Sequence, residues 1–263
     1  MLTKRKKVIR ICIITTIACV LLVLCAFKLY RHLMPSKVIS DLCYGKSKTN
    51  DSTVYVKENG EYVPYIVIDT DNYGEDNVLL MRKDAYMKEM MYRDENAYGA
   101  GGAYYNGCIV DDFLENEFYS FFSDGMKNII INAPVKIHSF NYVSKRKNIG
   151  DALLETISRH VFVLSRPECS PYTDVPYEFE DTDEGAVIPA VYENPIPYHT
   201  WLRSEELGGD DTGVSVCYKG HVTANHIQGW KNHYVRPVFI VKANEPIKLS
   251  DNILNGFIFV ADK

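Results

Sequence analysis

Val54-Tyr55-Val56-Lys57-Glu58-Asn59-Gly60-Glu61-Tyr62-Val63-Pro64-Tyr65-Ile66-Val67-Ile68 is the stretch that decides the fold class of this chain. β-Branched and aromatic residues fill both halves, and Asn-Gly between them readily takes the positive φ angles of a tight hairpin turn. Outward from this hairpin, Asn77 to Arg82 reads as another short strand. From Cys108 to Phe122 the period changes. Ile109, Val110, Phe113, Leu114, Phe118, Phe121 and Phe122 recur at three and four, which predicts an amphipathic helix with Asp111, Asp112, Glu115 and Glu117 on its wet side. Ser123 can cap a second short helix through Met126, Ile129 and Ile130. Val161 to Leu164 reads as a buried strand, and the six prolines and acidic run of residues 166–198 as a long surface loop. Strands return at Val214 to Lys219, at Val238 to Val241 after Pro237, and at Phe257 to Ala261. The pattern is that of one α+β domain over residues 53–263. Its sheet is expected to be mixed and mostly antiparallel, with strands 214–219 and 234–242 in that sheet and the 108–122 helix packed on it.

Charge divides the chain unevenly. The net charge is −5 over 263 residues, but residues 1–37 hold eight Lys and Arg and no acid, leaving 21 basic against 34 acidic groups in the rest. A domain that acidic is repelled by phosphate backbones, so nucleic-acid binding is excluded as a function class. Ile11 to Phe27 is a run of 17 residues without charge, and Arg10 and Lys28 flank it where long side chains can snorkel. From Val8 to Tyr30, at about 1.5 Å per residue, the stretch matches the roughly 30 Å of a hydrocarbon core. The residues after it, Lys28 to Met34, show no small-residue cleavage site. The expectation is an uncleaved transmembrane signal anchor over 11–30, with a cytoplasmic tail over 1–10 and a polar stalk over 31–52. The excess of Lys and Arg before the span places the 53–263 domain outside the cell, on a single-pass cell-membrane protein.

Seven cysteines follow the same division. Cys12, Cys19 and Cys25 lie in the apolar run, while Cys43, Cys108, Cys169 and Cys217 lie in the domain, where four allow three pairings. Their spacings of 65, 61 and 48 match no disulfide framework, and no CxxC pair suggests zinc. The favoured reading is free or partly buried thiols.

The ordered blocks Tyr65-Ile66-Val67-Ile68-Asp69, Val78 to Met81, Phe113-Leu114 with Phe118, and Phe122-Ser123 with Lys127 and Ile130 carry a resemblance. So do Val161 to Ser165 with Glu168 and Tyr172, Thr200-Trp201-Leu202-Arg203-Ser204, Gly220 with Val222, and Val235-Arg236-Pro237. Together they resemble a bacterial family, domain of unknown function 6273, over about residues 54–243. Glu115 departs from an expected Asn, Arg159 from a usual acidic residue, and no proline follows Ser204. The resemblance implies anchored or secreted proteins of gut-type Gram-positive bacteria, with no established activity. Its closing Trp, Arg, Gly-turn and Arg-strand pattern is similar to the formylglycine-generating-enzyme branch of the C-type-lectin-like fold.

Within the motif, Trp201, Leu202, Arg203, Ser204, Val235, Arg236 and Pro237 read as a structural frame, each Arg bridging loop carbonyls or a buried acid such as Glu168. Binding candidates are the aromatic and polar loop residues Tyr104, Tyr105, Trp230 and His233. No catalytic constellation is present: GxSxG, GxGxxG, P-loop and HExxH motifs are all absent. Asp69-Thr70-Asp71-Asn72-Tyr73-Gly74 starts like a calcium loop but lacks the later oxygen ligands, so no metal ligands and no cofactor are assigned, with weak calcium at the acidic run 178–184 the one open option. The function read from this is an anchored extracytoplasmic interaction module for a cell-surface glycan or protein. The alternative is a surface enzyme of formylglycine-generating or amidase type.

Overall fold

A computed structural model describes residues 15–23, 37–44, 52–69, 72–92, 103–140, 143, 154–169, 190, 195–205, 213–218, 221–226, 233–250, 253 and 256–262. The chain forms two units, Met1–Ser36 and Lys37–Lys263. The first corrects the expectation of a transmembrane helix over 11–30. Helix is described there over residues 15–23, and no helix among the described residues is long and apolar enough to cross a membrane. Nine residues at about 1.5 Å each rise about 14 Å, half of a hydrocarbon core.

The second unit is α+β. Its strands are β1 (Lys37–Val38), β2 (Thr53–Glu58), β3 (Glu61–Asp69), β4 (Asn77–Arg82), β5 (Ala133–His138), β6 (Leu154–Arg159) and β7 (Val161–Phe162). There follow β8 (Thr200–Glu205), β9 (Gly213–Tyr218), β10 (His221–His226), β11 (Val238–Lys242), β12 (Pro246–Leu249) and β13 (Phe257–Phe259). The helices are α1 (Ile109–Asp112), α2 (Asp124–Ile129) and α3 (Arg166–Cys169).

The Asn-Gly hairpin organises the main sheet. Thr53 faces Ile66 and Glu58 faces Glu61, and Asn59 and Gly60 close the turn at φ 49° and 89°. Eight strands run in the order β1-β12-β13-β2-β3-β4-β11-β7, antiparallel throughout except where β13 meets β2. Val78 to Met81 of β4 and Val238 to Val241 of β11 are buried at every position, so the middle of the sheet is covered on both faces and reads as unbroken apolar runs. β7 pairs only Val238 and Phe239 of β11, and further along that edge the Ile131 N–H donates to the Ile240 carbonyl at 2.9 Å.

The amphipathic stretch after Cys108 forms a helix of changing pitch. α1 widens through a π turn over Phe113–Glu117 and tightens to a 3-10 turn over Phe118–Phe121. The Cys108 sulfur caps its start by accepting from the Asp111 N–H, and the Ser123 hydroxyl does the same for α2 from the Met126 N–H. Phe118 packs on Phe113, Phe121, Phe122 and Tyr86, and Phe122 meets Phe239 of β11 at 5.1 Å.

Four sequence expectations differ from this fold. Residues 37–44 of the expected stalk belong to the domain: β1 pairs β12, and Ile39, Leu42 and Cys43 are in the core. β9 does not join the main sheet, because β10 and β8 already occupy both its edges in a separate three-stranded sheet. The expected 166–198 loop begins with α3, whose Pro167, Glu168 and Cys169 are buried. Asp111, placed on the wet side of its helix by periodicity, is 1% exposed, because Arg159 of β6 closes over it.

Asp262 fastens the chain end, accepting from the Lys57 N–H and the Ser123 hydroxyl, each at 2.8 Å. A Cβ on Gly125 would lie 1.8 Å from the Ala261 carbonyl oxygen. Gly125→Ala is therefore expected to destabilise the domain by about 1–3 kcal/mol through overpacking, despite the better helix propensity of Ala. Urea denaturation checks it, and an unchanged midpoint would mean that the C-terminal segment does not pack there.

Candidate functional site

Arg203 of β8 and Glu168 of α3 form a buried ion pair at 2.7 Å, each side chain 2% exposed. Every arm of the guanidinium is engaged. Nη1 also donates to the Val163 carbonyl at 2.6 Å, Nε to that of Lys136 at 3.1 Å, and Nη2 to the Tyr73 hydroxyl at 3.1 Å. The carboxylate is equally satisfied, by the Ser165 N–H at 2.7 Å, the Ser165 hydroxyl at 3.0 Å and the Tyr73 hydroxyl. Burial works against the charge of Glu168, but Arg203 and these donors outweigh it and hold its pKa below the ordinary value. Arg236 lies before β11 and is 7% exposed. It donates to the carbonyls of Arg82 at 2.8 Å and Lys83 at 2.9 Å, and burial brings its pKa down to about 10. Both arginines hold backbone together.

Trp201 is fully buried. Its indole N–H donates to the Met90 carbonyl at 2.9 Å, Tyr92 meets it edge-on at 5.5 Å, and His233 stacks on it at 4.4 Å and 26°. Leu202 and Ser204 are 3% exposed, and the Ser204 hydroxyl accepts from the Arg166 N–H at 2.9 Å. Val235 is buried and pairs backbone with Tyr86, and Pro237 is buried with its carbonyl on the Arg82 N–H at 3.0 Å.

The expected binding residues fare differently. His233 is 4% exposed, and burial, with His199 adding to it, lowers its pKa to about 4. Tyr105 is 1% exposed inside the α1 region, so neither offers a recognition surface. Tyr104 is half-buried, donating to Glu155 and accepting from the Asn106 amide at 3.3 Å. Trp230 and the acidic run 178–184 lie outside the described residues. Among the described residues no cluster of three His, Cys, Asp or Glu is arranged to hold a metal ion. Tyr73, in the calcium-like stretch, is 4% exposed and committed to Glu168.

Beside Trp201 and His233 in the chain is a pair of tyrosines that the sequence did not reveal. A parallel bridge joins Thr200 to Tyr234, with the Tyr234 N–H on the His199 carbonyl at 2.9 Å and the Trp201 N–H on the Tyr234 carbonyl at 3.0 Å. It brings Tyr198, 39% exposed, edge-on to Tyr234 at 5.2 Å. The Tyr234 hydroxyl donates to Glu89 at 3.1 Å. Leu164, Cys169, Thr200, Trp201, Leu202, Cys217 and Arg236 enclose a cavity of about 10 Å3, room for about one water molecule.

The family model described as a domain of unknown function (DUF6273) matches residues 75–243, the span that holds the Arg203–Glu168 pair, the Trp201 stack and the Arg236 clamp. The chain belongs to this family. Two of the three positions where the sequence reading expected other residues have partners here. Arg159 grips Asp111 with two contacts of 2.7 Å, and Glu115 pairs with His160 Nδ1 at 2.7 Å while accepting from the His160 N–H at 2.8 Å. No curated protein and no solved structure matches the chain, and the C-type-lectin-like likeness is not shown.

Two predictions follow from the buried charges. Arg203→Ala strands Glu168 in the interior and is expected to cost about 3–5 kcal/mol, read as a fall in thermal midpoint with or without any ligand. His138 and His233 both have pKa values brought down to about 4 by burial, while in the unfolded chain they titrate near 6.5. Between those values the unfolded state binds protons that the folded state refuses, so stability falls as pH drops, by up to about 3 kcal/mol per histidine near pH 4. Denaturation midpoints at pH 7.5, 5.5 and 4.5 should decline steadily. His233→Phe, which keeps the stack on Trp201, should flatten that decline.

Proposed function

We propose that the domain is an interaction module for a cell-surface glycan, bound across Tyr198 and Tyr234. The observation that carries this reading is the pair formed by the exposed Tyr198 and the half-buried Tyr234, edge-on at 5.2 Å. A recognition surface gains affinity when its rings are ordered before the ligand arrives, since little freedom is then lost on binding. Here the backbone bridge between Thr200 and Tyr234 fixes the spacing, and the neighbouring residues Trp201 and His233 are buried and stacked on one another. Tyrosine faces pack on the C–H faces of sugar rings while the phenol oxygens and Glu89 exchange hydrogen bonds with hydroxyls. A protein ligand would use the same rings.

An enzyme reading draws on Cys169 and Cys217 in the cavity. A cavity for one water admits no substrate, and burial, with Cys217 adding to it, pushes the Cys169 thiol above its ordinary pKa, away from the thiolate that a nucleophile needs. The interaction module is therefore the reading that the geometry favours.

A glycan array and a wall-fragment sedimentation assay with the purified chain test it. Tyr198→Ala together with Tyr234→Ala should weaken binding at least tenfold and shift stability little, because neither ring is in the core. If no glycan binds, or if the double variant binds like the wild type, the reading fails. Binding to wall-associated protein but not to glycan would move the proposal to a protein ligand.

A further inference from the structure

We propose that Cys169 and Cys217, which line the same cavity from α3 and β9, form an intramolecular disulfide that staples the helix to the middle of the three-stranded sheet. The inference is independent of the glycan-binding reading. The two sulfurs are not bonded to one another in this structure, and the residues are 1% and 5% exposed. Residues of α3 and β9 approach within 8 Å between Cα atoms, near the separation that a disulfide spans. The sequence left three pairings open for the domain cysteines, and the fold selects among them. Cys108 is committed to capping α1 through the Asp111 N–H at 3.4 Å, and Cys43 lies in the core after β1, where the Tyr44 N–H bonds the Val67 carbonyl.

The location gives the bond a purpose. α3 carries Glu168, so fastening Cys169 to β9 holds the carboxylate against Arg203 on the neighbouring strand β8. It also closes a loop of the chain that carries β8 between α3 and β9. Cross-links across long loops remove the most freedom from the unfolded chain. The step is an ordinary thiol–disulfide exchange with a small disulfide oxidant, RSSR. One protein thiolate attacks RSSR and expels RS⁻. The second thiolate then attacks the mixed disulfide and expels another RS⁻. The protein S–S bond forms, the oxidant's S–S bond breaks, and the two protein protons end on two RSH. Burial raises the Cys169 thiol pKa, so exchange is slow in the closed domain, and the bond forms during folding or after partial opening.

The test uses the full chain unfolded and refolded in a glutathione redox buffer, with free thiols alkylated after denaturation and peptides mapped by mass spectrometry without reduction. A 169–217 linked peptide is expected, along with a thermal midpoint roughly 5–10 °C above that of the reduced chain. Cys217→Ala should lose both the linked peptide and the redox-dependent shift, and if that variant fails to fold, the wild-type peptide map decides alone. Complete alkylation of Cys169 and Cys217 after oxidative refolding, or linkage of either one to Cys43 or Cys108, would overturn the proposal.

Discussion

The Arg203–Glu168 ion pair is the constraint on which the rest of the domain depends. Two opposite charges buried at 2.7 Å are tolerable only when their remaining hydrogen-bonding groups are satisfied. Meeting that demand recruits Val163 beside β7, Lys136 of β5, Ser165 before α3, and Tyr73 in the turn before β4. One residue pair thereby ties the eight-stranded sheet to both smaller sheets and to α3. A set of separate sheets has no continuous ladder to hold it together, so side-chain and loop contacts must do so. Arg236 acts similarly at the far end of β4, where it holds the carbonyls that the strand leaves behind.

The aromatic surface is a consequence of this frame. Arg203 fixes β8, the start of β8 pairs with Tyr234, and the pairing sets Tyr198 beside Tyr234. Trp201 and His233, next to them in sequence, stack on one another and are buried rather than available to a ligand. Rings held by backbone pairing make a rigid recognition surface, and rigidity lowers the entropic cost of binding.

Local departures from the family pattern are absorbed by charge pairing. Arg159 would be costly beside the α1 start without Asp111, and its fork engages both carboxylate oxygens. Glu115 accepts two backbone N–H groups after β6 and pairs with the His160 ring, so an acid in place of an amide still satisfies the end of that strand.

The hairpin around Asn59-Gly60, the continuous apolar strands β4 and β11, and the cap at Ser123 were legible in the sequence because each rests on contacts within a few residues. The burial of the WLRS and VRP blocks was legible too, since large apolar side chains flank both arginines. Other features depended on distant partners. Asp111 looked solvent-facing until Arg159, 48 residues away, was placed over it. Val214 to Lys219 looked like a strand of the main sheet, but strand pattern does not encode which edge a strand will meet. His233 and Tyr105 looked like surface loop residues because polarity and aromaticity say nothing of what packs above them. Tyr198 and Tyr234 were silent in the sequence for the same reason: single tyrosines become a surface only when backbone pairing brings them together. The sequence alone determined the α+β class, the hairpin and the acidic domain, all properties of composition and short-range pattern. Tertiary structure alone decided the partner of each buried charge, the contact between Cys169 and Cys217 and the place of the exposed rings, because those depend on long-range packing that no local periodicity records.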